Sequence, residues 1–231
     1  MGEGERSIQN LSLPEKALDF FSHKWGIEQL HPPQFEAMEP LFDENNILLA
    51  IPTASGKSLV AYIGILNQLL NLNPGSRAVY IVPLKALASE KFDDLKQIGE
   101  HLGLKIGLGI GDATAEAKNI DDSDILICTS EKLDSLMRTR SELMSNVSIV
   151  VADEFHLLHD ASRGPTLEIN LTRLRTLRPN AQLIALSATV GNCDILAKWL
   201  DATLIQSDWR PVDLEYATLH DRHLEPRKIQ S

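Results

Sequence analysis

Short apolar runs alternate with longer segments of helical periodicity along this chain. The runs are Asn46 to Ile51, Ala78 to Val82, Lys105 to Ile110, Asp124 to Cys128, Val147 to Ala152, Gln182 to Leu186 and Thr203 to Ile205. Apolar residues in these runs are largely consecutive rather than alternating, which is typical of parallel strands covered on both faces. The pattern predicts an α/β fold: a doubly wound, mostly parallel sheet with helices on both faces.

Longer segments between the runs have the length and periodicity of crossover helices. Two of them are Lys57 to Asn71 and Leu84 to Leu102. A third begins after Gly164, and its leucines recur every three or four residues, at Leu167, Leu171, Leu174 and Leu177. A further helix is predicted from Pro14 to Lys24, and the last twenty residues, rich in charge and histidine, indicate a surface strand or tail.

Composition bounds the class of protein. The 231 residues, 43% of them hydrophobic, suit one large or two small domains with a sizeable core. Cys128 and Cys193 are too few for a disulfide framework or a four-cysteine zinc site and suit a reducing cytosol. The N-terminus has no apolar signal core and no apolar run approaches ~18 residues, so a cytoplasmic protein without a membrane span is expected. The formal charge of -10 argues, taken alone, against a nucleic-acid partner.

The stretch IPTASGKS, residues 51–58, leaves the first apolar run and opens a helical segment. In a phosphate loop, backbone N–H groups hold the phosphates, a lysine reaches the outer phosphates and a hydroxyl binds magnesium. Gly56, Lys57 and Ser58 supply the end of that pattern, although Ile51 stands where the strict pattern has glycine. The alternative is an ordinary strand-to-helix turn with a surface lysine.

A second constellation follows the run Val147 to Ala152, where Asp153 and Glu154 are adjacent. Two neighbouring carboxylates at the end of a buried strand are costly unless they are solvated or bound to a metal ion. In a nucleotide hydrolase, one acid at this position holds magnesium and the other orients or deprotonates the attacking water. A pair of solvated loop acids is the alternative. His156 and His159 stand nearby, but no cysteine or further histidine is close in sequence, which disfavours zinc.

These segments resemble a known family. PTASGKS, DEFH and the triplet at residues 187–189 resemble motifs I, II and III of superfamily-two DExH helicases. HPPQFEA resembles the glutamine motif, and three further segments resemble the strand-contacting motifs: PLKALASEKF, GIGDA and TSEKLDSLMR. With SDWRPV near the end, the order and spacing are similar to those of archaeal Hjm-type DNA repair helicases, relatives of the polymerase-theta helicase domain.

The resemblance implies a RecA-like P-loop domain that binds ATP and Mg2+. The implied ATP-binding residues are Gln34, as the adenine contact, and Pro52, Thr53, Ala54, Ser55, Gly56, Lys57 and Ser58. Catalysis is implied for Lys57, Asp153, Glu154 and His156, metal binding for Ser58 and Asp153, and coupling to the strand-binding face for Ser187, Ala188 and Thr189. The family tolerates residues other than glycine at the start of the loop, which removes the objection raised by Ile51.

The resemblance also implies a bound nucleic-acid strand. Its implied contacts are Pro83, Leu84, Lys85, Ala86, Gly111, Asp112, Thr129 and Ser130. Loops at helix starts hold phosphates through amides and helix dipoles, so a strongly basic surface is not required. Helix capping and turn formation are the alternatives for these loops. Arg163, just before the leucine-rich helix, fits a solvated helix start better than a strand contact.

The implied activity is that of the first motor domain, residues 29–210, of an ATP-dependent DNA helicase. We expect 3'-5' polarity and a role in repair or in restart of stalled replication forks. Residues 1–28 are expected to form a helical extension, and residues 211–231 the start of a connection to a second motor domain absent from this chain. The fragment alone is therefore expected to be nearly inactive.

The expected partners are single-stranded or forked DNA and the second RecA-like domain of the same full-length chain, with a monomeric protein and no membrane. An RNA helicase motor domain remains an alternative, since the same motifs serve RNA. A small P-loop kinase or a nucleotide-binding module is a third hypothesis, and it requires an acceptor pocket in place of the strand-binding loops.

Overall fold

The computed structural model describes residues 3–111, 117–188, 191–212, 216–220 and 223–227. Two of the predicted site residues, Asp112 and Thr189, lie outside the described residues. Among the helices of the described part, none has the length and apolar character needed to cross a bilayer.

The strands form one large sheet and a separate hairpin. Their bounds are β1 (Asn46–Ala50), β2 (Arg77–Val82), β3 (Ile106–Gly109), β4 (Ala117–Lys118), β5 (Ile125–Thr129), β6 (Val147–Ala152), β7 (Gln182–Ser187), β8 (Ala202–Gln206), β9 (Tyr216–His220) and β10 (His223–Arg227). The sheet order is β4-β3-β5-β2-β6-β7-β1-β8, and β9 pairs with β10 alone. All pairings in the large sheet are parallel except that of β3 with the two-residue strand β4. The predicted doubly wound, mostly parallel sheet is confirmed, and each of the seven predicted runs is a strand.

Helices cover both faces of the sheet. They are α1 (Glu15–Asp19), α2 (Pro32–Glu36), α3 (Met38–Phe42), α4 (Lys57–Leu66), α5 (Lys85–Leu102), α6 (Ser130–Thr139), α7 (Gly164–Leu177) and α8 (Cys193–Leu200). α1 and α4 continue as π-helical turns, at Phe20–Lys24 and Asn67–Leu72. Short 3-10 turns lie at Glu3–Arg6, Ile8–Asn10, Ser141–Met144 and Phe155–His159.

Consecutive strand residues point to two separate apolar cores. In β1, Ile47 and Leu49 belong to the core formed with α1 to α5, whereas Leu48 and Ala50 belong to the core formed with α6, α7 and α8. Every residue of β2, β5, β6 and β7 is buried. Burial on both faces is the reason these strands read as unbroken apolar runs.

The N-terminal helix packs into the first of these cores. Ile8, Ala17 and Phe21 are fully buried there. On the other side of the sheet, three of the four predicted leucines of α7 are buried, but Leu177 is 53% exposed because the helix ends at that residue. The helical prediction for both segments agrees with the structure, while the buried stripe of α7 is one residue shorter than the leucine repeat.

A buried arginine closes the amino-terminal edge of the sheet. Arg77, the first residue of β2, is only 8% exposed and donates to the carbonyl oxygens of Ser123, Leu143 and Asp121 at 2.8, 2.9 and 2.7 Å. Burial lowers the pKa of this guanidinium, although nearby aspartates oppose the shift. These bonds join the loops that precede β5 and β6. They lie at the amino edge of the sheet, opposite the edge that carries the predicted site residues.

We expect Arg77→Met to lower the free energy of unfolding by about 2 to 4 kcal/mol, because three buried carbonyls would lose their donor. Arg173→Met is the matched control, since Arg173 is half exposed and pairs with Asp134 on the surface. The control should cost less than about 1 kcal/mol. Urea unfolding of both variants measures the difference, and equal costs would show that the buried bonds contribute nothing special.

Candidate functional site

Three neighbouring strands bring the predicted ATP residues to one edge of the sheet. Lys57 follows β1 and Asp153 follows β6, while β7 lies between these strands and ends at Ser187. Because all three strands are parallel, their carboxyl ends meet at the same edge. Residues almost a hundred positions apart in sequence thus become neighbours.

The predicted phosphate loop connects β1 to α4 through residues with unusual backbone angles. Ala54 and Gly56 both have positive φ, 65° and 73°. The N–H of Ile51 donates to the carbonyl of Ser187 at 3.2 Å, which joins the start of the loop to the end of β7. Pro52 and Ser55 are buried, while Thr53, Ala54 and Gly56 are exposed. The loop is therefore anchored underneath and open above.

Gln34 lies under this loop rather than beside it. Its side chain is 2% exposed, and its Nε2 donates to the carbonyls of Ser55 and Gly56 at 3.3 and 3.0 Å. Its Oε1 accepts from the N–H of His31 at 2.8 Å. Gln34 therefore ties α2 to the phosphate loop. The adenine contact implied for this residue stays a prediction.

Lys57 is buried at the first position of α4. Its Nζ donates to the carbonyl of Ile51 at 3.2 Å. Burial lowers the pKa of this ammonium and Lys91 adds to the shift, whereas the carboxylates of Glu154 and Asp153 oppose it. The two predicted acids therefore lie within electrostatic reach of the predicted phosphate-binding lysine.

Asp153 is oriented by two hydrogen bonds. Its Oδ2 accepts from the hydroxyl of Tyr80 at 3.0 Å, and its Oδ1 accepts from the N–H of Glu154 at 2.8 Å. Tyr80 is fully buried in β2, and burial together with Asp153 raises the pKa of its hydroxyl, so the group stays a neutral donor. Sequence reasoning missed Tyr80. The signal was a tyrosine in the middle of an apolar run, since a buried hydroxyl needs a partner.

His156 stands between the acids and the end of β7. Its Nδ1 lies 3.3 Å from Oε2 of Glu154 and 3.4 Å from the N–H of Ala188. One ring nitrogen cannot donate to the carboxylate and accept from the amide at the same time, so the tautomer of the ring selects one partner. Ser187 is fully buried, and its hydroxyl donates to the carbonyl of Ala188.

A lysine of α5 reaches the predicted magnesium-binding hydroxyl. The Nζ of Lys91 donates to Oγ of Ser58 at 3.0 Å, and Lys91 is 8% exposed. One turn further along the same helix, Asp94 accepts from the hydroxyl of Tyr62 in α4 at 2.9 Å. Sequence reasoning missed this connection. The signal was a lysine among the buried residues of α5, which are Ala88, Lys91, Leu95, Ile98 and Gly99.

The segment after β8 crosses the phosphate loop. The N–H of Ser207 donates to the carbonyl of Ala50 at 3.2 Å, and the hydroxyl of Ser55 meets the carbonyl of Trp209 at 3.4 Å. The Trp209 ring lies 4.5 Å from the ring of His31. Burial, and then Arg6, lowers the pKa of His31, which favours its neutral form. Sequence reasoning gave Trp209 no contact with the loop.

The donor set at this edge fits a magnesium nucleotide. Mg2+ prefers oxygen ligands and is bound by one or two protein groups together with phosphates and water. Ser58 offers a hydroxyl and Asp153 a carboxylate already aimed by two donors. Within the described ranges, no cluster of three or more histidine, cysteine or acidic side chains could itself hold a metal ion.

A groove of about 360 Å³ lies at the same carboxyl edge, beyond β2 and β5. It brings together members of all three predicted strand-binding loops with two further cations: Pro83, Leu84, Lys85, Gly111, Thr129, Glu131, Lys132 and Arg163. α5 and α6 begin beside it, so their N-terminal amides face the groove edge. Thr129 also caps α6, since its hydroxyl accepts from the N–H of Lys132 at 3.3 Å. Thr129 is therefore a helix cap, as the alternative to strand binding predicts, and its contact with a nucleic-acid strand stays a prediction.

The fold and the site define a RecA-like domain with a P-loop between β1 and α4. Residues 31–196 match the family described as DEAD/DEAH box helicase, and the chain belongs to that family.

Curated relatives add detail. The chain is 45% identical over 226 residues to the ATP-dependent DNA helicase Hel308 of Methanocella arvoryzae, covering 96% of this chain and 30% of the relative. The chain is 48% identical over 206 residues to the ATP-dependent DNA helicase Hel308 of Methanocaldococcus jannaschii, and the match covers 87% of this chain and 17% of the relative. The Hel308 helicase of Pyrococcus horikoshii is 47% identical over 208 residues, and the match covers 90% of this chain and 28% of the relative. These matches confirm the resemblance to archaeal Hjm-type helicases. The chain spans less than a third of the length of these relatives.

A solved structure shares the fold. It is the crystal structure of the DUF1998 helicase MrfA bound to DNA, with a TM-score of 0.74, 24% identity and coverage of 85% of this chain and 30% of that one.

A methyl group at Gly56 should disrupt the phosphate loop. The added Cβ of Gly56→Ala would lie 2.4 Å from Nε2 of Gln34, whereas Gly75→Ala, at φ 84°, meets nothing within 4 Å. Both changes add about 1 kcal/mol of backbone strain. We expect only Gly56→Ala to weaken nucleotide binding, by at least about tenfold, the equivalent of about 1.4 kcal/mol. Calorimetry with Mg-ATP measures both variants, and equal affinities would contradict the role of Gln34 under the loop.

Proposed function

We propose that this chain is the ATP-binding first motor domain of an ATP-dependent DNA helicase. The observation that carries the proposal is the arrangement around β7: the phosphate-loop lysine on one side, the paired acids on the other, and Ser187 between them. The groove of the predicted strand-binding loops lies at the same sheet edge. The Hel308 relatives, named as ATP-dependent DNA helicases, support DNA over RNA and over a small kinase acceptor.

Each residue of the nucleotide site has a chemical role in this proposal. Lys57 attracts the outer phosphates, and the open amides of the loop hold them from the N-terminus of α4. Ser58 and Asp153 would hold Mg2+, which supplies charge neutralisation on the transferring phosphoryl group. Glu154 accepts the proton of the attacking water. Tyr80 keeps the Asp153 carboxylate in place.

His156 connects hydrolysis to the neighbouring strand. When its Nδ1 carries a proton it can donate to Glu154, and when it does not it can accept from Ala188. A change at Glu154 is thereby transmitted to the end of β7 and to the loop that follows. This supports the coupling role proposed for Ser187, Ala188 and Thr189, the last of which lies outside the described residues.

The strand-binding role rests on local rather than overall charge. Among the described residues that line the groove, Lys85, Lys132 and Arg163 are cations and Glu131 is the one carboxylate. We propose that a single strand runs along this groove, contacted by residues 83–86, Gly111, Asp112, Thr129 and Ser130, and that the full-length protein moves in the 3'-5' direction on forked DNA in repair or fork restart. Of these contacts, Asp112 lies outside the described residues.

We further propose that rapid hydrolysis needs a second motor domain of the full-length chain. The phosphate loop is open above, so a group from another domain has access to the outer phosphates. An arginine supplied in this way is worth roughly 10³ to 10⁵ in rate in GTPases that use one.

Glu154→Gln should separate binding from chemistry. In the full-length protein we expect ATP affinity within about threefold of the parent but at least about 100-fold slower hydrolysis, since the amide cannot accept a proton. Calorimetry and a steady-state ATPase assay with single-stranded DNA measure the two quantities. The 231-residue chain, assayed beside it, should hydrolyse ATP barely above background.

Lys57→Ala is the companion variant and should lose detectable Mg-ATP binding. Lys96→Ala, a change at an exposed lysine paired only with Glu100 in the described structure, serves as the control. Parental turnover by Glu154→Gln would remove Glu154 as the base. DNA-stimulated turnover by the short chain at the full-length rate would refute the need for a second domain.

Arg163 tests the groove. Arg163→Gln should weaken single-stranded DNA binding by the full-length protein about threefold to tenfold and reduce the slope of log K against log salt by about 0.7, as expected for one lost phosphate contact. Arg173→Gln, at an exposed arginine of the same helix outside the groove, should change neither. Fluorescence anisotropy with DNA and RNA of one sequence measures both. If the two variants behave alike, Arg163 is a solvated helix-start residue, as its sequence context indicates.

A further inference from the structure

Lys91 is a buried cation at the nucleotide site that the roles above leave unused. It lies on α5 and is separated by 33 residues from Ser58, yet its Nζ is 3.0 Å from the Ser58 hydroxyl oxygen. The Nζ of Lys91 also donates to Oε1 of Glu90, again at 3.0 Å, but the Glu90 side chain is 60% exposed and its charge is screened by solvent. The ammonium therefore points toward the metal-binding side of the site.

Several charged and polar groups lie near the contact between Lys91 and Ser58. Burial lowers the pKa of Lys57 and the Lys91 ammonium adds to that shift, whereas the carboxylates of Glu154 and Asp153 oppose it. Burial raises the pKa of the Tyr62 and Tyr80 hydroxyls, and the Ser58 side chain opposes both shifts in part, so both tyrosines lie near Ser58. The Ser58 hydroxyl is thus bonded to a lysine, and Tyr80, which lies near Ser58, is bonded to the carboxylate of Asp153.

One hydroxyl oxygen does not serve an ammonium and a magnesium ion equally well at the same time. Both are cations that use the oxygen lone pairs, and two positive charges on one oxygen repel each other strongly in a partly buried site. Magnesium also demands near-ideal octahedral geometry at short distance. Binding of one cation at Ser58 therefore disfavours the other.

We propose that Lys91 is a positioning residue of the magnesium site, whose ammonium and Mg2+ bind the Ser58 hydroxyl in alternation. This inference rests on the proposed function. Without magnesium, Lys91 acts as a substitute cation near the phosphates. When Mg-ATP binds, the ammonium leaves Ser58 and turns toward the exposed side, where Glu90 lies.

The exchange has a defined route to the strand-binding groove. α5 begins at Lys85, which lines the groove, and Lys91 is less than two helical turns further along. The bond between Tyr62 and Asp94 keeps α4 and α5 together while Lys91 changes partner. When Lys91 leaves Ser58, α5 loses this contact with the phosphate loop. Its contact with α4, between Asp94 and Tyr62, stays in place and acts as a pivot.

The test is the magnesium dependence of ATP affinity. Calorimetry with the 231-residue chain, or with the full-length protein, gives the dissociation constant of ATP with excess Mg2+ and with EDTA. We expect the ratio of the EDTA value to the Mg2+ value to rise about fivefold to tenfold in Lys91→Met, within the range of a charge-assisted hydrogen bond. The rise follows because the substitute cation is lost only from the magnesium-free complex.

Matched variants distinguish an effect of the Lys91 ammonium on the magnesium dependence from a loss of packing around α5. Lys96→Met, at an exposed lysine of the same helix, should leave the ratio unchanged, and in a Ser58→Ala background Lys91→Met should change it by less than about twofold. Lys91→Gln, which keeps a donor without charge, replaces Lys91→Met if circular dichroism shows that the methionine variant does not fold. An unchanged ratio in the folded Lys91 variant, or the same rise without the Ser58 hydroxyl, would overturn the proposal. Failure of the parent to bind ATP under either condition would instead refute the proposed function.

Discussion

Helices bury the large sheet on both of its faces, and this double burial limits where functional groups can lie. Strands covered on both sides expose only their ends, and parallel pairing gathers all carboxyl ends at one edge. The phosphate loop, the paired acids, the end of β7 and the groove loops all lie there. The opposite edge is closed by Arg77, whose guanidinium donates to three carbonyl groups. Because the strands are parallel, the predicted site residues thus lie at the carboxyl edge of the sheet and the Arg77 contacts lie at the amino edge.

Sequence predicted the parts that local pattern determines. Unbroken apolar runs predicted the strands, and the order of Lys57 and Asp153 after two such runs predicted that they would meet. It did not predict the contacts that depend on helix register across the core, such as Lys91 with Ser58 and Tyr80 with Asp153. Strand β4 was missed as well, because two residues carry no periodicity. Gln34 shows the same limit, since a motif names the residue but not its position beneath the loop.

The overall charge of -10 is a poor guide to this surface. Net charge sums the whole chain, whereas a bound strand feels the few charges within a Debye length of its phosphates. Among the described residues that line the groove, three are cations and one is a carboxylate, and two helices begin at its edge. The net charge of the chain therefore does not argue against a nucleic-acid strand at this groove.

Residues 207–209 join the chain that leaves β8 to the end of β1 and to the phosphate loop. Ser55 of the loop and His31 at the start of α2 both contact Trp209, so a shift of the loop disturbs contacts of the outgoing chain. Linkage between two such motions is reciprocal: free energy released when the loop closes on a ligand is available to displace the crossing segment, and tension on that segment changes the affinity of the loop. Through Trp209, the chain that leaves β8 is thus attached directly to this loop.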